Sequence, residues 1–245
     1  NRKPTQAILT SPGNFLIEWS KTVEKVSTSE WKFWQNTLSE RNEKRQVEII
    51  QQSNILTDYV NPMKLCLSLN KFIQDGDIIV ADGGDFVATA SYILQPRSSI
   101  GWMDPGVFGT LGVGAGFILG AKLSNPNSVV WAIYGDGAFG YSLIEFDSFI
   151  RHKIPVIAII GNDAGWTQIA RDQVDMLGSD ISTNLAPTNY HKAVEALGCH
   201  GYLIENENQI DEVLNHALES VHSGNPTVVN VRIGKTDFRK GSLSM

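Results

Sequence analysis

The sequence predicts an α/β fold in which helices flank an open parallel sheet. Two apolar runs, residues 129–134 and 156–160, have the length and continuous hydrophobicity of strands that are buried on both faces. Helical patterns alternate with these runs, as in strand–helix–strand units. Glycine and polar residues follow each run, where parallel strands gather their ligand-binding loops. We therefore expect a ligand site at the carboxyl edge of the sheet.

The remaining elements follow from apolar spacing and from the positions of proline and glycine. Residues 62–74 are predicted as a helix because Pro62 suits a first turn. Residues 210–221 are predicted as a helix because apolar residues recur every three or four positions. The other predicted helices span residues 14–27, 29–54, 86–92, 117–122 and 141–151. The other predicted strands span residues 7–11, 77–81 and 227–233.

Composition changes along the chain and predicts four parts. They are residues 1–27, the end of a central α/β domain; 28–61, a charged helical linker; 62–233, the site-bearing domain; and 234–245, a C-terminal tail. In the first part, Phe15, Ile17 and Val23 are expected to face inward. In the linker, Trp31 and Trp34 are expected to form an aromatic anchor. The tail is expected to be flexible, although order over the site or a neighbour is an alternative.

Composition and charge also limit the function. The formal net charge is −6, with 42% hydrophobic and 19% charged residues, which is typical of a soluble globular chain without a basic surface for nucleic acid. Cys66 and Cys199 stand alone, so buried thiols are expected rather than a zinc site or a disulfide. No apolar run is long enough to span a membrane, and the first residues lack a methionine and a signal-type segment. We therefore expect a C-terminal fragment.

The segment Gly135, Asp136 and Gly137 directly follows the first apolar run, and Asn162 and Asp163 follow the second. Glycines leave room for a phosphate, and the helix after them offers free backbone amides to an anion. Mg²⁺ prefers carboxylate, carbonyl and phosphate oxygens. Each motif alone would also suit a tight turn. Their placement across one strand–helix–strand unit instead favours a clamp for a metal and a diphosphate.

This arrangement resembles the motif of thiamine diphosphate enzymes, in which a helix and a strand separate Gly-Asp-Gly from Asn-Asn. Within that family it is similar in particular to the acetolactate synthase-like proteins that act as 2-hydroxyacyl-CoA lyases. The resemblance covers roughly residues 62–233. It rests on residues 82–86, 106–116, 135–147, with the acidic Glu145, 151–156 and 161–168.

The resemblance implies thiamine diphosphate and Mg²⁺ as cofactors. It assigns Asp136, Asp163 and the carbonyl of Gly165 to the metal, and it leaves Asn162 open as an alternative ligand. The cofactor-binding residues that it implies are Gly84, Gly109, Thr110, Leu111, Gly135, Asp136, Gly137, Ala138, Asn162, Asp163, Gly165 and Trp166.

Some positions depart from the family pattern. Asp163 replaces a common asparagine, and the added negative charge should strengthen cation binding. Leu111 replaces a methionine as the apolar wedge under the cofactor, whose aminopyrimidine would lie near the carbonyl of Gly109. Asp85 and Phe86 stand where acetolactate synthases have Gln and His near the diphosphate. An aspartate there would be repelled unless it were paired or turned away, so Asp85 is predicted to cap the next helix.

The glycine-rich residues 106–116 also suggest a dinucleotide site. A Rossmann fingerprint needs Gly-x-Gly-x-x-Gly directly after a strand, whereas Phe117 stands at the last position after Gly112 and Gly114. That interpretation is therefore disfavoured.

By resemblance, the whole protein would cleave a 2-hydroxyacyl-CoA to formyl-CoA and a shortened aldehyde, as in fatty acid α-oxidation. The glutamate that activates the cofactor comes in that family from an N-terminal domain of a second subunit. We therefore expect no catalytic residue in this chain, and weak cofactor binding without turnover by it alone. Relatives also sit at the endoplasmic reticulum membrane through an N-terminal segment absent here. The alternatives are an acetolactate synthase-type enzyme acting on 2-oxo acids and a non-catalytic cofactor-binding subunit.

Overall fold

The computed structural model of the protein describes residues 3–23 and 29–241. The chain divides into two compact units, Asn1–Val47 and Glu48–Met245. The second unit carries the sheet and every site residue discussed below. The four-part division drawn from composition stays a prediction.

Six parallel strands of the second unit form one open sheet. They are β1 (Ile78–Asp82), β2 (Trp102–Met103), β3 (Val130–Gly135), β4 (Ile157–Asn162), β5 (His200–Ile204) and β6 (Thr227–Arg232). Their order across the sheet is β2, β1, β3, β4, β6, β5. Gly135 pairs with Gly161 in the β3–β4 register, so the loops after these strands leave the sheet at the same level. The predicted open parallel sheet with flanking helices is confirmed.

Helices cover both faces of this sheet. The described helices are α1 (Pro12–Thr22), α2 (Lys32–Ser53), α3 (Pro62–Phe72), α4 (Asp85–Ile93), α5 (Gly114–Ser124), α6 (Asp136–Ser142), α7 (Glu145–Arg151), α8 (Thr167–Leu177), α9 (Tyr190–Ala196) and α10 (Ile210–His222). Alternate side chains of β3 enter different cores. Trp131 and Ile133 pack with α3, α4 and α10, whereas Ala132 and Tyr134 pack with α5, α6, α7 and α9. Within the described residues, no helix combines the length and apolarity needed to cross a membrane.

Several predicted elements differ from the structure. Residues 141–151 form two helices rather than one, because the chain enters α6 directly at Asp136 and a short turn separates α6 from α7. Residues 7–11 form no strand, since no described segment pairs with them. Helix α1 buries none of its side chains, so the predicted inward face is not seen. Trp31 and Trp34 are both about half exposed and form no buried anchor.

Short or irregular elements were not predicted. β2 has two residues, and β5 is only partly buried, so neither has the continuous apolar run of β3 and β4. Helices α8 and α9 also have no predicted counterpart. The helix predicted over residues 14–27 ends at Thr22, and residues 24–28 lie outside the described part of the chain, as do residues 1–2 and 242–245.

Gly161 provides a test of how tightly the sheet packs against α4. A Cβ at this position would overlap the ring of Phe86, which is buried. We expect Gly161→Ala to lower the free energy of unfolding by about 1–3 kcal/mol through overpacking, as measured by chemical denaturation. Gly120→Ala, in α5 with open space around it, is the matched control and should be neutral or slightly stabilising. Equal stability of the two variants would contradict the predicted overlap.

Candidate cofactor and metal site

A cleft opens at the carboxyl ends of β1, β3 and β4. Its walls come from the loops after these strands, from the first turns of α6 and α8, and from the glycine-rich stretch before α5. The predicted cofactor residues that line it are Gly84, Gly109, Leu111, Gly135, Asp136, Gly137, Ala138, Asp163, Gly165 and Trp166. Thr110 is exposed outside the cleft, and Asn162 is buried behind its wall.

Two close backbone approaches form part of the cleft wall. A Cβ on Gly83 would lie 2.7 Å from the backbone nitrogen of Gly135, and Gly83 has a φ of +152°. A Cβ on Gly137 would overlap the ring of Trp166. These contacts exclude side chains at Gly83 and Gly137. The first turn of α6 therefore presents bare backbone beside Trp166.

Asp136 begins α6 and is only 3% exposed. Its Oδ1 accepts a hydrogen bond from the N–H of Gly137 at 2.8 Å, and its Oδ2 accepts one from the N–H of Gly165 at 3.2 Å. Burial, together with repulsion from Asp163, raises the pKa of Asp136 to about 7. The carboxylate thus ties the loop after β3 to the loop after β4 in a place that disfavours negative charge.

Asp163 follows β4 directly and lines the same cleft. The hydroxyl of Thr167, in the first turn of α8, donates a hydrogen bond to its Oδ2. Burial raises the pKa of Asp163, and the nearby charge of Asp85 adds to this rise. The Thr167 hydrogen bond and the charge of Lys235 oppose it. Two carboxylates therefore share one poorly solvated position, an arrangement that a bound cation stabilises.

The side chain of Asn162 forms hydrogen bonds to protein groups. Its Nδ2 donates to the carbonyl of Thr188 and to Oδ1 of Asn230, both at 3.1 Å. Its Oδ1 accepts from the N–H of Ala164 at 3.3 Å. Ala164 has a φ of 55°, a left-handed conformation that is uncommon for a residue with a side chain. Asn162 thus supports the turn that presents Asp163, and this geometry favours Asp163 over Asn162 as the metal ligand.

Asp82, at the end of β1, has a structural role that sequence reasoning missed. Its carboxylate is 1% exposed and accepts hydrogen bonds from the N–H groups of Gly112 at 3.0 Å and Gly114 at 2.8 Å. Burial raises the pKa of Asp82, although these amides oppose the rise. The carboxylate fixes the start of α5, just after Leu111, which packs on the core and lines the cleft. The only sequence signal is an acidic residue at a strand end, because its partners lie about 30 positions away.

The prediction that Asp85 caps α4 is wrong. Gly84 occupies the cap position, and Asp85 is the first residue of the helix. The Asp85 carboxylate is instead held by the guanidinium of Arg171, at 2.8 and 2.9 Å. A charged bidentate pair is stronger than a single cap hydrogen bond, which accounts for the difference.

The residues of the cleft fit a divalent cation bound with a diphosphate. Asp136 and Asp163 supply two carboxylates, and Gly165, the predicted carbonyl ligand, lines the same cleft. Among residues 3–23 and 29–241, no group of three or more His, Cys, Asp or Glu could hold a metal alone. Further ligands would therefore come from backbone oxygens and from phosphates, as is usual for Mg²⁺.

Comparison with known proteins identifies the class. The family described as "Thiamine pyrophosphate enzyme, C-terminal TPP binding domain" matches residues 82–231. The chain therefore belongs to the thiamine pyrophosphate enzymes, as the resemblance of its motifs implied. A solved structure, the thiamine diphosphate-dependent 4-hydroxybenzoylformate decarboxylase of Rhodococcus jostii RHA1, shares the fold with a TM-score of 0.67. That match has 21% identity and covers 75% of this chain and 34% of the other.

Curated relatives are more similar in sequence. The chain is 48% identical to 2-hydroxyacyl-CoA lyase 2 of Bos taurus and 47% identical to the protein of that name from Homo sapiens, in both cases over 99% of its length. It spans 39% of each of those proteins. It is also 34% identical to the probable acetolactate synthase of Mycobacterium bovis, over 74% of this chain and 33% of that protein.

The raised pKa of Asp136 predicts a specific pH dependence for the cation-free protein. The pKa is about 7 in the folded state against an ordinary value of 3.8, so the folded state binds more protons between these values. The contribution of Asp136 to the free energy of unfolding is therefore fully present below pH 3.8 and is lost as the pH rises through 7. We expect wild type to lose on the order of 1–4 kcal/mol relative to Asp136→Asn over this range.

The measurement is chemical denaturation of both proteins in chelator at several pH values. Mg²⁺ added above pH 7 should recover stability in wild type and not in Asp136→Asn, because only the ionised carboxylate binds the cation. Parallel pH profiles for the two proteins in chelator would contradict the assigned titration.

In the full-length protein, Asp82→Asn should weaken binding of thiamine diphosphate by about tenfold or more. The amide places a donor against the N–H groups of Gly112 and Gly114, so the segment that carries Leu111 is released. The matched control is Asp77→Asn at the other end of the same strand, where the carboxylate accepts from Nε1 of Trp131. Both variants should lose stability on denaturation, but only Asp82→Asn should raise the Kd in calorimetry. Unchanged affinity in Asp82→Asn would refute the role.

Proposed function

We propose that the full-length protein is a thiamine diphosphate- and Mg²⁺-dependent lyase that cleaves the C1–C2 bond of a 2-hydroxyacyl-CoA. The products would be formyl-CoA and an aldehyde one carbon shorter. The observation that carries this proposal is the 46–48% identity, over 99% of this chain, to vertebrate proteins named 2-hydroxyacyl-CoA lyase 2. The paired carboxylates of the cleft support it, because a relative that no longer bound the metal and cofactor would have no need to keep them.

In this proposal the chain contributes the half-site for the diphosphate and the metal. Asp136, Asp163 and the carbonyl of Gly165 hold Mg²⁺, and Thr167 orients Asp163. The first turn of α6, with Gly137 packed beside Trp166, lies next to the proposed place of the diphosphate. When bound, the cofactor supplies an electron sink that allows a carbon–carbon bond to break. The chain's own residues bind and orient, and none of them is assigned a proton-transfer step.

The overall reaction balances without a further co-reactant. The bond between C1 and C2 breaks, and its electron pair stays with C1, the thioester carbon. The C2 hydroxyl loses its proton as C2 becomes the aldehyde carbon. C1 gains a proton and leaves as formyl-CoA.

A second subunit is proposed to complete the site with the activating glutamate from its N-terminal domain. Large apolar side chains are exposed around the mouth of the cleft, as expected for a surface that another chain covers. Ile169 lines the cleft and is 55% exposed, and Phe108, next to the cleft-lining Gly109, is 87% exposed. Tyr141, whose ring lies 6.4 Å from that of Trp166, is 64% exposed. None of the described residues that line the cleft is a glutamate, and we propose that this chain binds cofactor weakly by itself and turns over no substrate.

A related chemistry is the alternative. The 34% identity to an acetolactate synthase favours a carboligase or decarboxylase that acts on 2-oxo acids. The two functions differ in their products, because one yields formyl-CoA and an aldehyde and the other yields acetolactate. Incubation of the full-length protein with 2-hydroxyacyl-CoA or with pyruvate, followed by product analysis, separates them.

We also propose that the full-length protein acts at the endoplasmic reticulum membrane through a segment outside this chain. The support is the resemblance to membrane-attached lyases of this family. Fractionation of cells that express the tagged full-length protein tests it, and recovery only in the soluble fraction would refute it.

The metal and cofactor assignment is tested by calorimetry of thiamine diphosphate binding to the full-length protein, with and without Mg²⁺. Asp136→Asn and Asp163→Asn should each raise the Kd by about tenfold or more and weaken its Mg²⁺ dependence, because each removes a charged ligand. Asp147→Asn, which removes a carboxylate paired with Arg151 on the surface of α7, is the control and should bind as wild type does.

Loss of binding only in Asp136→Asn would move the second ligand toward Asn162. Absence of Mg²⁺-dependent binding in wild type would overturn the proposed function and would favour a non-catalytic subunit.

A further inference from the structure

Asp85 creates an electrostatic problem that the proposed function must solve. It lines the same cleft as Asp136 and Asp163, so three carboxylates face the place where an anionic diphosphate would bind. Its charge reaches the loop after β4, here called the metal loop, since Asp85 contributes to the raised pKa of Asp163 in that loop. An unpaired aspartate in this position would repel the ligand.

The guanidinium of Arg171 forms a bidentate ion pair with the Asp85 carboxylate. Its Nε donates to Oδ1 of Asp85 at 2.9 Å, and its Nη2 donates to Oδ2 at 2.8 Å. The two side chains are only 21% and 15% exposed, so the pair is shielded from much of the screening that weakens surface ion pairs. The Asp85 carboxylate raises the pKa of Arg171, and the guanidinium stays charged at any physiological pH.

Arg171 also holds the C-terminal segment. The same Nη2 donates to the carbonyl of Thr236 at 2.8 Å. Phe238 is buried and packs edge-on against Tyr92 of α4, with ring centroids 5.7 Å apart, and Arg239 lies over the same ring. The segment predicted to be a flexible tail is therefore packed against α4 through Phe238 and Arg239.

We propose that Arg171 is a positioning residue for cofactor binding: it neutralises Asp85 at the start of α4 and fastens the C-terminal segment beside the cleft. One guanidinium thus links three parts of the chain: the turn after β1, the helix after the metal loop, and the segment after β6. This inference rests on the proposed function only in that the ligand is thiamine diphosphate. The fastening of the C-terminal segment is independent of any ligand.

The geometry explains why arginine is required. A planar guanidinium presents parallel N–H donors to a carboxylate and keeps a further donor for a carbonyl. A lysine in this position would keep the charge but would lose the paired hydrogen bonds. An uncharged residue would leave Asp85 as an uncompensated charge in a partly buried position, which is the costly outcome of breaking such a pair.

The test is a double-mutant cycle in the full-length protein, read by calorimetry of thiamine diphosphate with Mg²⁺. Arg171→Gln should raise the Kd by about tenfold or more, because it leaves the Asp85 charge in the cleft. Asp85→Asn should bind as tightly as wild type or more tightly. The double variant, which restores the net charge of the pair, should return to within about threefold of wild type. Arg171→Lys should lie between wild type and Arg171→Gln.

The matched control is the same cycle at Arg151 and Asp147, an exposed ion pair on α7, in which no variant should change the Kd. Hydrogen exchange of residues 235–241 without ligand provides the second readout. Exchange should accelerate in Arg171→Gln, which loses the contact to Thr236, and should not change in Asp85→Asn.

Each outcome decides a separate point. If the double variant binds no better than Arg171→Gln, neutralisation of Asp85 is refuted. If exchange of the C-terminal segment is unchanged in Arg171→Gln, the fastening is refuted. If wild type fails to bind the cofactor, both the proposed function and the role of Arg171 in cofactor binding are refuted. Hydrogen exchange of residues 235–241 still tests whether Arg171 holds the C-terminal segment.

Discussion

The structure of the site depends on two carboxylates, one buried and one partly buried, that lie together at one edge of a sheet. Asp136 is almost fully buried, and burial and Asp163 together raise its pKa to about 7. Without a cation, amide hydrogen bonds from Gly137 and Gly165 and the hydroxyl of Thr167 only partly offset this cost. The cleft is thus built to be stabilised by a cation, and the surrounding backbone serves to hold the two carboxylates in place.

The parallel register and the glycines make this placement possible. Because Gly135 pairs with Gly161, the chain leaves β3 and β4 at the same level, and Asp136 comes within reach of the N–H of Gly165. Bare backbone at Gly137 then lets the Trp166 ring close over the first turn of α6. A side chain there would separate the two loops, so the glycines of the motif matter as much for packing as for ligand access.

Elements of the fold and site that depend on neighbouring residues can be predicted from the sequence, whereas those that depend on contacts between distant residues cannot. β3, β4 and their motifs were predicted because a buried parallel strand is continuous in apolar residues and its ligand loop follows directly. The sequence alone leaves the role of Asn162 open, because its partner Asn230 lies 68 positions away, on β6. The start of α6 is not visible in the sequence, because Gly135 and Gly137 are typical of a turn, whereas contacts with β3 and β4 accompany a helix that begins at Asp136.

The charges around the site also come from residues that are distant in the sequence. When only neighbouring residues are considered, Asp85 looks unfavourable beside a diphosphate, and Asp163 adds repulsion to the cation-free site. In the fold, Asp85 is paired with Arg171, which lies 86 positions away, and Asp163 is influenced by Lys235 from the C-terminal segment. An extra carboxylate in the metal loop is therefore tolerable because cations from distant parts of the chain accompany it. Whether a departure from a motif weakens a site depends on the charges that the fold brings to it, and these are not visible in the motif itself.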